Sequence, residues 1–141
     1  VLDHVYLRRL HKQMFGDVWD WAGQYRPREM SIGIDPAAIP IAVVNLCEDA
    51  KLWMNAPGEQ DLAAARFHHC LVSIHPFRNG NGRHARRAAD VLLISARIDA
   101  FTWGANANLG SDDLRSRYLS SLRKADLDPD DLADLVGFAR S

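Results

Sequence analysis

Residues 75–86 read HPFRNGNGRHAR, a glycine-rich loop placed between two helical patterns. The first pattern ends before Pro76, and the second begins near Arg83. Gly80 and Gly82 allow the backbone to approach a ligand closely and leave amide hydrogens exposed. Because the loop leads directly into a helix N-terminus, which attracts negative charge, this segment predicts an anion-binding site.

Three side chains of the same segment suit chemistry on phosphates. Arg83 and Arg86 are three residues apart on a helix, so both guanidinium groups can reach the same end and hold two phosphates. His75 lies on the other side of the loop, where an imidazole that titrates near neutral pH could accept a proton. Together these residue types predict a general base beside a polyphosphate clamp.

The remaining sequence predicts a helical protein. Apolar residues recur at three- and four-residue steps, the spacing of amphipathic helices, in the ranges 2–15, 41–54, 61–74, 83–98, 111–124 and 129–138. The alanine-rich range 83–98 is expected to be the central helix. Asp61 is expected to cap the N-terminus of the helix in the range 61–74. Between residues 26 and 40, alternating apolar residues separated by Pro and Gly predict a short extended or hairpin segment.

Composition limits the function classes. The 141 residues fit one domain, 1–141, with 48% apolar and 25% charged residues and a formal net charge of −1. Nothing in this balance favours a nucleic-acid partner, and no apolar run approaches the roughly 18–20 residues that cross a membrane. The N-terminus does not resemble a secretory signal, so we expect a cytoplasmic protein. The first residue is Val1, so we expect that a segment before it is missing.

Two alternative interpretations start from the same residues. Gly80, Gly82 and Ala85 fit the dinucleotide-binding pattern GxGxxA, but this pattern requires a preceding strand, whereas Pro76 interrupts a helical run. Histidines and a cysteine also cluster along residues 68–84, as in some metal sites. Adjacent His68 and His69 point about 100° apart on a helix, so we expect one to be buried and structural and the other exposed.

The segment 75–86 resembles the Fic family signature, HPFx(D/E)GNGRxxR, at every specified position except one. WDWAGQYR at 19–26 is similar to the segment that leads into the family's flap for target peptides. FTWG at 101–104 and YLSSLRKAD at 118–126 resemble the Fic subfamily called mobile mystery protein B. This resemblance implies an all-α helical bundle of the Fic type with a short β-hairpin flap.

The resemblance also implies an activity, protein adenylylation, in which AMP from ATP is transferred to a Ser, Thr or Tyr hydroxyl of a target protein. His75 would be the general base, and Phe77 would anchor the loop in the core. The implied phosphate-binding residues are Gly80, Asn81, Gly82, Arg83 and Arg86. The flap that holds the target by strand addition would comprise Met30, Ser31, Ile32, Gly33 and Ile34.

Asn79 is the one departure from the signature, because the family usually has Asp or Glu there as a Mg²⁺ ligand. Asparagine keeps an oxygen ligand but lacks the negative charge, so we expect Asn79 to contact Mg²⁺ with weakened affinity. The departure leaves two alternatives open. One is a Fic-like module that binds nucleotide or protein with little turnover, and the other is transfer of a different phosphoryl-containing group.

Regulation is expected to come from outside this sequence. Fic enzymes are commonly inhibited by a helix with the motif (S/T)xxxE(G/N), whose glutamate pairs with the second arginine of the signature, here Arg86. None of the chain's glutamates, Glu29, Glu48 and Glu59, has Ser or Thr four residues earlier. We therefore expect an inhibitory helix upstream in cis, or an antitoxin-like partner in trans.

Overall fold

The computed structural model describes residues 2–141, and within this range every regular element is helical. The all-α prediction is therefore confirmed. The helices are α1 (His4–Phe15), α2 (Ile39–Met54), α3 (Gln60–Ile74), α4 (Asn81–Ser95), α5 (Ser111–Leu127) and α6 (Ala133–Arg140), with a short 3₁₀ turn at Pro36–Ala38 before α2.

Helix ends follow local sequence signals at most positions. The Asp3 side chain accepts a hydrogen bond from the Tyr6 N–H at 2.8 Å and caps α1, which ends at Gly16. Helix α3 stops before Pro76, as predicted. Its start was predicted wrongly, since α3 begins at Gln60 and Asp61 lies inside its first turn. The Asp61 carboxylate instead forms an ion pair with Arg140 of α6.

The core is centred on α3 and α4. Helix α3 packs against α2, α4 and α6, whereas α4 packs against α1 and α3, so α3 has more helical neighbours than the alanine-rich helix predicted to be central. The alanines of α4 do allow close approach, because Ala85, Ala88 and Ala89 are fully buried. This tight contact fixes the C-terminus of α3 relative to the N-terminus of α4, and the loop 75–80 joins these two ends.

A second, smaller apolar cluster attaches α5 and α6 to this core. It contains Ala65 of α3, Leu122 and Ala125 of α5, and Leu132 and Leu135 of the C-terminal segment. This packing holds α5 as a wall facing the N-terminus of α4. Within residues 2–141, no helix combines the length and the apolar character needed to cross a lipid bilayer.

The predicted β-hairpin flap is not present as a hairpin. Residues 31–33 form a bend, residues 30 and 34 are irregular, and no strand occurs in the part of the chain that the structure describes. A hairpin needs carbonyls free for a partner strand, but the carbonyls of Arg28 and Ile34 accept hydrogen bonds from the Arg26 side chain. Gly33, with φ of +99°, turns the backbone further away from an extended path.

Candidate active site

The loop 75–80 borders a cleft of about 990 Å³ between the N-terminus of α4, residues 30–32 and one face of α5. The predicted site residues that line it are Met30, Ser31, Ile32, His75, Asn79, Gly80, Asn81, Gly82, Arg83 and Arg86. Gly33 and Ile34 of the predicted flap are not part of the lining. The structure therefore brings the predicted base, phosphate-binding residues and outer flap residues to one cavity.

His75 is positioned by the end of α3. It adopts the left-handed conformation with φ of 53°, and its N–H donates to the Leu71 carbonyl at 3.2 Å, which closes the helix. Burial lowers the pKa of His75, and the nearby positive charge of Arg26 lowers it further. The imidazole is therefore neutral at neutral pH and available as a proton acceptor.

Helix α4 presents its N-terminus to the cleft. Gly80 precedes it in the left-handed conformation, with φ of 76°, and a Cβ there would lie 2.7 Å from the Phe15 ring. Only glycine fits this position. The amides of Asn81, Gly82 and Arg83 have no carbonyl one turn earlier to bond, so they are available to an anion together with the positive end of the helix dipole.

The Asn81 side chain has a different task from the one implied by the family signature. Its Oδ1 accepts from the Phe77 N–H at 2.9 Å, and its Nδ2 donates to the Phe77 carbonyl at 2.8 Å. Both hydrogen bonds are buried, so the Asn81 side chain fixes the conformation of residues 77–81. What Asn81 can offer to an anion is its backbone N–H.

Phe77 anchors the loop in the core, as the resemblance implied. It is 1% exposed, and its ring stacks on His11 with centroids 3.8 Å apart. The His11 Nδ1 accepts from the Gly23 N–H at 3.0 Å, so the proton of this imidazole resides on Nε2, which donates to the Asn79 carbonyl at 3.0 Å. His11 thus holds the loop in place, a role that no sequence pattern indicates beyond the position of His11 on the apolar face of α1.

Replacement of Phe77 by alanine is expected to lower the free energy of unfolding by about 3–5 kcal/mol, because the ring is fully buried and the site cannot collapse around the shorter side chain. Urea denaturation monitored by circular dichroism measures this change. The control is Ile41→Ala on α2, where the side chain is 67% exposed and a much smaller change is expected. Equal effects of the two substitutions would show that the loop is not anchored through Phe77.

The cleft carries concentrated positive charge. Arg78, Arg83, Arg86 and Arg115 line it, and no Asp or Glu of the described residues 2–141 does. Among residues 2–141, none of these four arginines forms a salt bridge. Aromatic rings lie beside two of them: the Cζ of Arg83 lies 4.8 Å from the Phe15 ring centroid, and that of Arg86 lies 4.9 Å from the Tyr118 ring centroid.

The wall formed by α5 contributes site residues that the sequence analysis did not identify. Ser111, Leu114, Arg115, Tyr118, Leu119 and Leu122 line the cleft. Their spacing of three and four residues places them on one face of a helix, which was the available signal. Trp103 and Phe138 extend this wall with apolar surface, so the α5 side of the cleft is largely apolar apart from Arg115, whereas Arg83 and Arg86 lie on α4.

Half-buried Tyr118 and fully buried His68 form a pair beside Arg86. The His68 Nε2 lies 2.8 Å from the Tyr118 Oη, and burial lowers the pKa of His68 to about 3, so the imidazole is neutral. A Cβ added at Gly82 would lie 3.6 Å from the Tyr118 Oη and 3.9 Å from the Arg86 Nη1. Tyr118 and Arg86 therefore converge above the glycine of the anion site.

The other histidines have structural positions. His68 and His69 are both buried, so the expectation that one is exposed was wrong; the His69 ring is sheltered because its Nε2 lies 2.8 Å from the Asp126 carboxylate of α5. His84 contacts the Leu7 carbonyl at 2.8 Å. Within residues 2–141, no three His, Cys, Asp or Glu side chains converge as a metal-binding group.

The dinucleotide-binding alternative does not agree with the structure. Helix α3, not a strand, precedes Gly80, and the residues that follow Gly82 pack as a helix in an all-helical core. The GxGxxA pattern at residues 80–85 is therefore a coincidence of the loop sequence.

Comparisons with known proteins agree with this geometry. The model of the Fic/DOC family matches residues 1–93. The protein adenylyltransferase Fic of Drosophila mojavensis is 33% identical over 94 residues, which cover 62% of this chain and 18% of that protein. The protein adenylyltransferase VbhT of Bartonella schoenbuchensis is 31% identical over 93 residues, 60% of this chain and 19% of that protein. The matched regions thus span about a fifth of the length of these curated relatives.

Solved structures show the same fold over nearly the whole chain. A Fic domain containing signaling protein from Bacteroides thetaiotaomicron superposes with a TM-score of 0.76 at 23% identity and covers 98% of this chain and 56% of that one. BepC from Bartonella tribocorum, solved with bound AMPPNP, superposes with a TM-score of 0.66 at 19% identity, covering 95% and 73%. The family model matches two thirds of the chain, and the matched residues include the loop 75–86. This chain therefore belongs to the Fic/DOC family.

Proposed function

We propose that this domain transfers AMP from ATP to a Ser, Thr or Tyr hydroxyl of a target protein. The hydroxyl oxygen attacks the α-phosphorus, the bond between that phosphorus and the bridging oxygen to the β-phosphate breaks, and pyrophosphate leaves. The hydroxyl proton passes to the His75 imidazole and from there to solvent. The protein adenylyltransferase names of the curated relatives support this reaction class.

One observation carries the proposal. A neutral imidazole, an open helix N-terminus and two arginines that form no salt bridge within residues 2–141 line the same 990 Å³ cleft. A base alone would suit many reactions, but a base beside a site for several phosphates suits attack on a nucleoside triphosphate. The bound AMPPNP of BepC is consistent with a triphosphate as the ligand of such a cleft.

The phosphates are assigned to the cationic side of the cleft. The free amides of Asn81, Gly82 and Arg83 would bind phosphate oxygens, and the Arg83 and Arg86 side chains would hold the outer phosphates. These groups are fixed before the reaction by helix α4 and by the hydrogen bonds of the Asn81 side chain. Fixed donors stabilise the charge that develops on the leaving pyrophosphate without reorganisation cost.

The apolar side of the cleft is assigned to the nucleoside. Trp103, Leu114 and Phe138 line it, whereas Arg83 and Arg86 belong to helix α4. A triphosphate bound at α4 would extend its base toward this wall. The arginines of α4 thus suit the anionic triphosphate of ATP, and the apolar wall suits its base.

A protein-made Mg²⁺ site does not fit the residues present. No carboxylate from the part of the chain that the structure describes lines the cleft, and the Asn79 Oδ1, which is neutral, already accepts a hydrogen bond from the Gly80 N–H at 2.7 Å. Any Mg²⁺ would depend on the phosphates of the nucleotide for its negative ligands. No step of the proposed reaction is therefore assigned to the metal, and the weakened site expected from Asn79 stays a prediction.

Asn79→Asp tests this point. The new carboxylate supplies the charge that Mg²⁺ requires, so the Mg²⁺ concentration for half-maximal transfer is expected to fall by about tenfold. Titration of the transfer rate with MgCl₂ at fixed ATP measures the change, and Asn79→Ser is the uncharged control. An unchanged Mg²⁺ dependence in Asn79→Asp would place residue 79 away from the metal.

The target is assigned to the opening beside residues 30–32. Met30 and Ile32 are 43% and 59% exposed while they also border the cleft, so their apolar side chains are available to an incoming segment. A hydroxyl presented here would lie between the bends and His75. Residues 30–34 form no strand in the free domain, so binding of the target here does not depend on a strand that already exists.

Inhibition is assigned to Arg86. Its guanidinium forms no salt bridge with a carboxylate within residues 2–141, and it borders the phosphate site. A glutamate from an upstream helix or an antitoxin-like partner would pair with it and displace the outer phosphate. Such a pair contributes about 1.5–3 kcal/mol, enough to change activity by about one to two orders of magnitude.

Intact-mass spectrometry of target proteins incubated with the domain and ATP tests the reaction class. The expected result is a mass increase of one AMP moiety on the target. An increase of one phosphate instead, or a nucleotide bound tightly with no mass increase on any protein in a lysate, would overturn the proposal.

A further inference from the structure

Arg26 is an arginine buried to 2% exposure, and the sequence analysis assigned it no role. Burial of a positive charge is costly unless it is compensated. No Asp or Glu within residues 2–141 forms a salt bridge with it. The way in which this charge is compensated therefore shows what the residue does.

The guanidinium is compensated by backbone carbonyls from two segments. Its Nε donates to the His75 carbonyl at 2.5 Å, and its Nη2 donates to the Ile74 carbonyl at 3.3 Å. These carbonyls lie at the C-terminal end of α3, which is the negative end of the helix dipole. The same guanidinium donates to the Ile34 carbonyl at 2.5 Å and to the Arg28 carbonyl at 3.0 Å, on either side of the bends.

Two backbone hydrogen bonds run alongside this contact. The Arg26 N–H donates to the Pro76 carbonyl at 2.9 Å, and the Ile34 N–H donates to the Ile74 carbonyl at 3.3 Å. Residues 26–34 therefore form a loop whose two ends are fastened to the residues around His75. The Arg26 side chain fills the interior of this loop.

Gly33 shows how closely the parts fit. A Cβ at this position would lie 2.5 Å from the Arg26 Nη2 and 2.7 Å from the His75 Cβ, and the backbone φ of +99° also disfavours any other residue. The flap, the arginine and the base thus pack in contact at one point. A displacement of any one of them moves the other two.

We propose that Arg26 is a positioning residue that locks the backbone of His75 and the flap, residues 30–34, to one another, so that the base and the target hydroxyl meet at a fixed distance. The role rests on the proposed function, since it matters only where the flap holds a substrate. A planar guanidinium with five donors suits it, because a lysine ammonium cannot reach four carbonyls arranged around a plane.

Two substitutions separate the charge of Arg26 from its geometry. Arg26→Lys keeps the positive charge but loses the fork, and Arg26→Met loses both. The matched control is Arg8→Met: Arg8 is exposed on α1, and its Nε makes a single bond to the Gly23 carbonyl at 2.9 Å. Gly33→Ala is a further variant, which retains the Arg26 residue but displaces its guanidinium group.

The first readout is the titration of His75 by NMR on protein labelled at histidine, with its signals assigned by their loss in His75→Ala. Arg78, Arg83, Arg86 and Arg115 share the cleft with His75 and stay in all variants, so they do not change the comparison. Loss of the Arg26 charge removes one cause of the lowered pKa of His75. The pKa is expected to rise in Arg26→Met and to stay near the wild-type value in Arg26→Lys and Arg8→Met.

The second readout is hydrogen exchange of the Ile34 amide, whose bond to the Ile74 carbonyl depends on the locked flap. Exchange is expected to accelerate by at least tenfold in Arg26→Lys, Arg26→Met and Gly33→Ala, and to remain unchanged in Arg8→Met. If Arg26→Met does not fold, Arg26→Lys and Gly33→Ala still test the geometry, because both keep the charge.

The third readout is the rate of label transfer from α-³²P ATP, expected to fall by about 100-fold in Arg26→Lys because a misplacement of about 1 Å has this effect. Unchanged Ile34 exchange in Arg26→Lys and Gly33→Ala, or a wild-type transfer rate in Arg26→Lys, would overturn the positioning role. Faster Ile34 exchange and a raised pKa of His75 in Arg26→Met, in a domain that transfers no label at all, would support the lock and contradict the proposed function instead.

Discussion

Replacement of His75 by alanine is expected to lower the transfer rate by about 10²–10⁴-fold and to leave the Kd for ATP within a few-fold of wild type. The reason is that the imidazole acts on the target hydroxyl, whereas the nucleotide is held by α4 and the arginines. Isothermal titration calorimetry gives the Kd, and single-turnover labelling gives the rate.

The control is His4→Ala, because His4 is exposed at the start of α1 and does not line the cleft. A His75→Ala variant with unchanged turnover would remove the general base from the mechanism. A variant that loses ATP binding as well would show that residue 75 holds the nucleotide.

Replacement of Arg86 by methionine is expected to lower kcat/KM for ATP by about two orders of magnitude. A charge-assisted bond contributes roughly 1.5–3 kcal/mol, and a guanidinium can make two bonds to one phosphate. Methionine keeps most of the apolar stem, so the packing against Tyr118 is largely preserved. Initial rates at varied ATP concentrations measure the effect.

The neighbouring Arg87 gives the matched control, because it lies on the same helix, is exposed and does not line the cleft. Arg87→Met is expected to change kcat/KM by less than about twofold, since solvent screens the interactions of exposed charges. Equal losses in the two variants would mean that the general positive charge of α4, and not a phosphate contact of Arg86, is responsible.

Most of the fold was predictable from the sequence because helix periodicity and stop signals are local. Pro76 ended α3 where predicted, and Gly16 ended α1. Asp61 was misassigned because a local signal conflicts with a distant contact: it has the chemistry of a cap, but its carboxylate pairs with Arg140 at the other end of the chain. A contact across 79 residues leaves no trace in local sequence.

The flap could not be predicted for a similar reason. The alternation of apolar residues at Met30, Ile32 and Ile34 is typical of a strand. The strand propensity of so short a segment is weak, however, and hydrogen bonds from the buried Arg26 side chain to the Arg28 and Ile34 carbonyls outweigh it. Arg26 is separated from His75 by 49 residues, and the sequence offered only an arginine near a proline. The tertiary contact overrode the local pattern.

The site was predictable where its residues are adjacent in the chain. Residues 75–86 supply the base, the amides and two arginines, and the structure places them around one cleft. Arg115 and Tyr118 were missed because they reach the cleft from α5. The spacing of residues shows which of them share a helix face, but it does not show what that face packs against. The likeness of residues 101–104 and 118–126 to one Fic subfamily remains a prediction.

In the proposed reaction, the α-phosphate of ATP, with its nucleoside, ends on a protein hydroxyl. Parallel labelling of a lysate with α-³²P ATP and γ-³²P ATP tests this outcome, with His75→Ala as the negative control. We expect protein-bound label from α-³²P ATP alone, and we expect this label to be lost in His75→Ala. Label from γ-³²P ATP that depends on His75, or no label from either nucleotide, would contradict the proposed reaction.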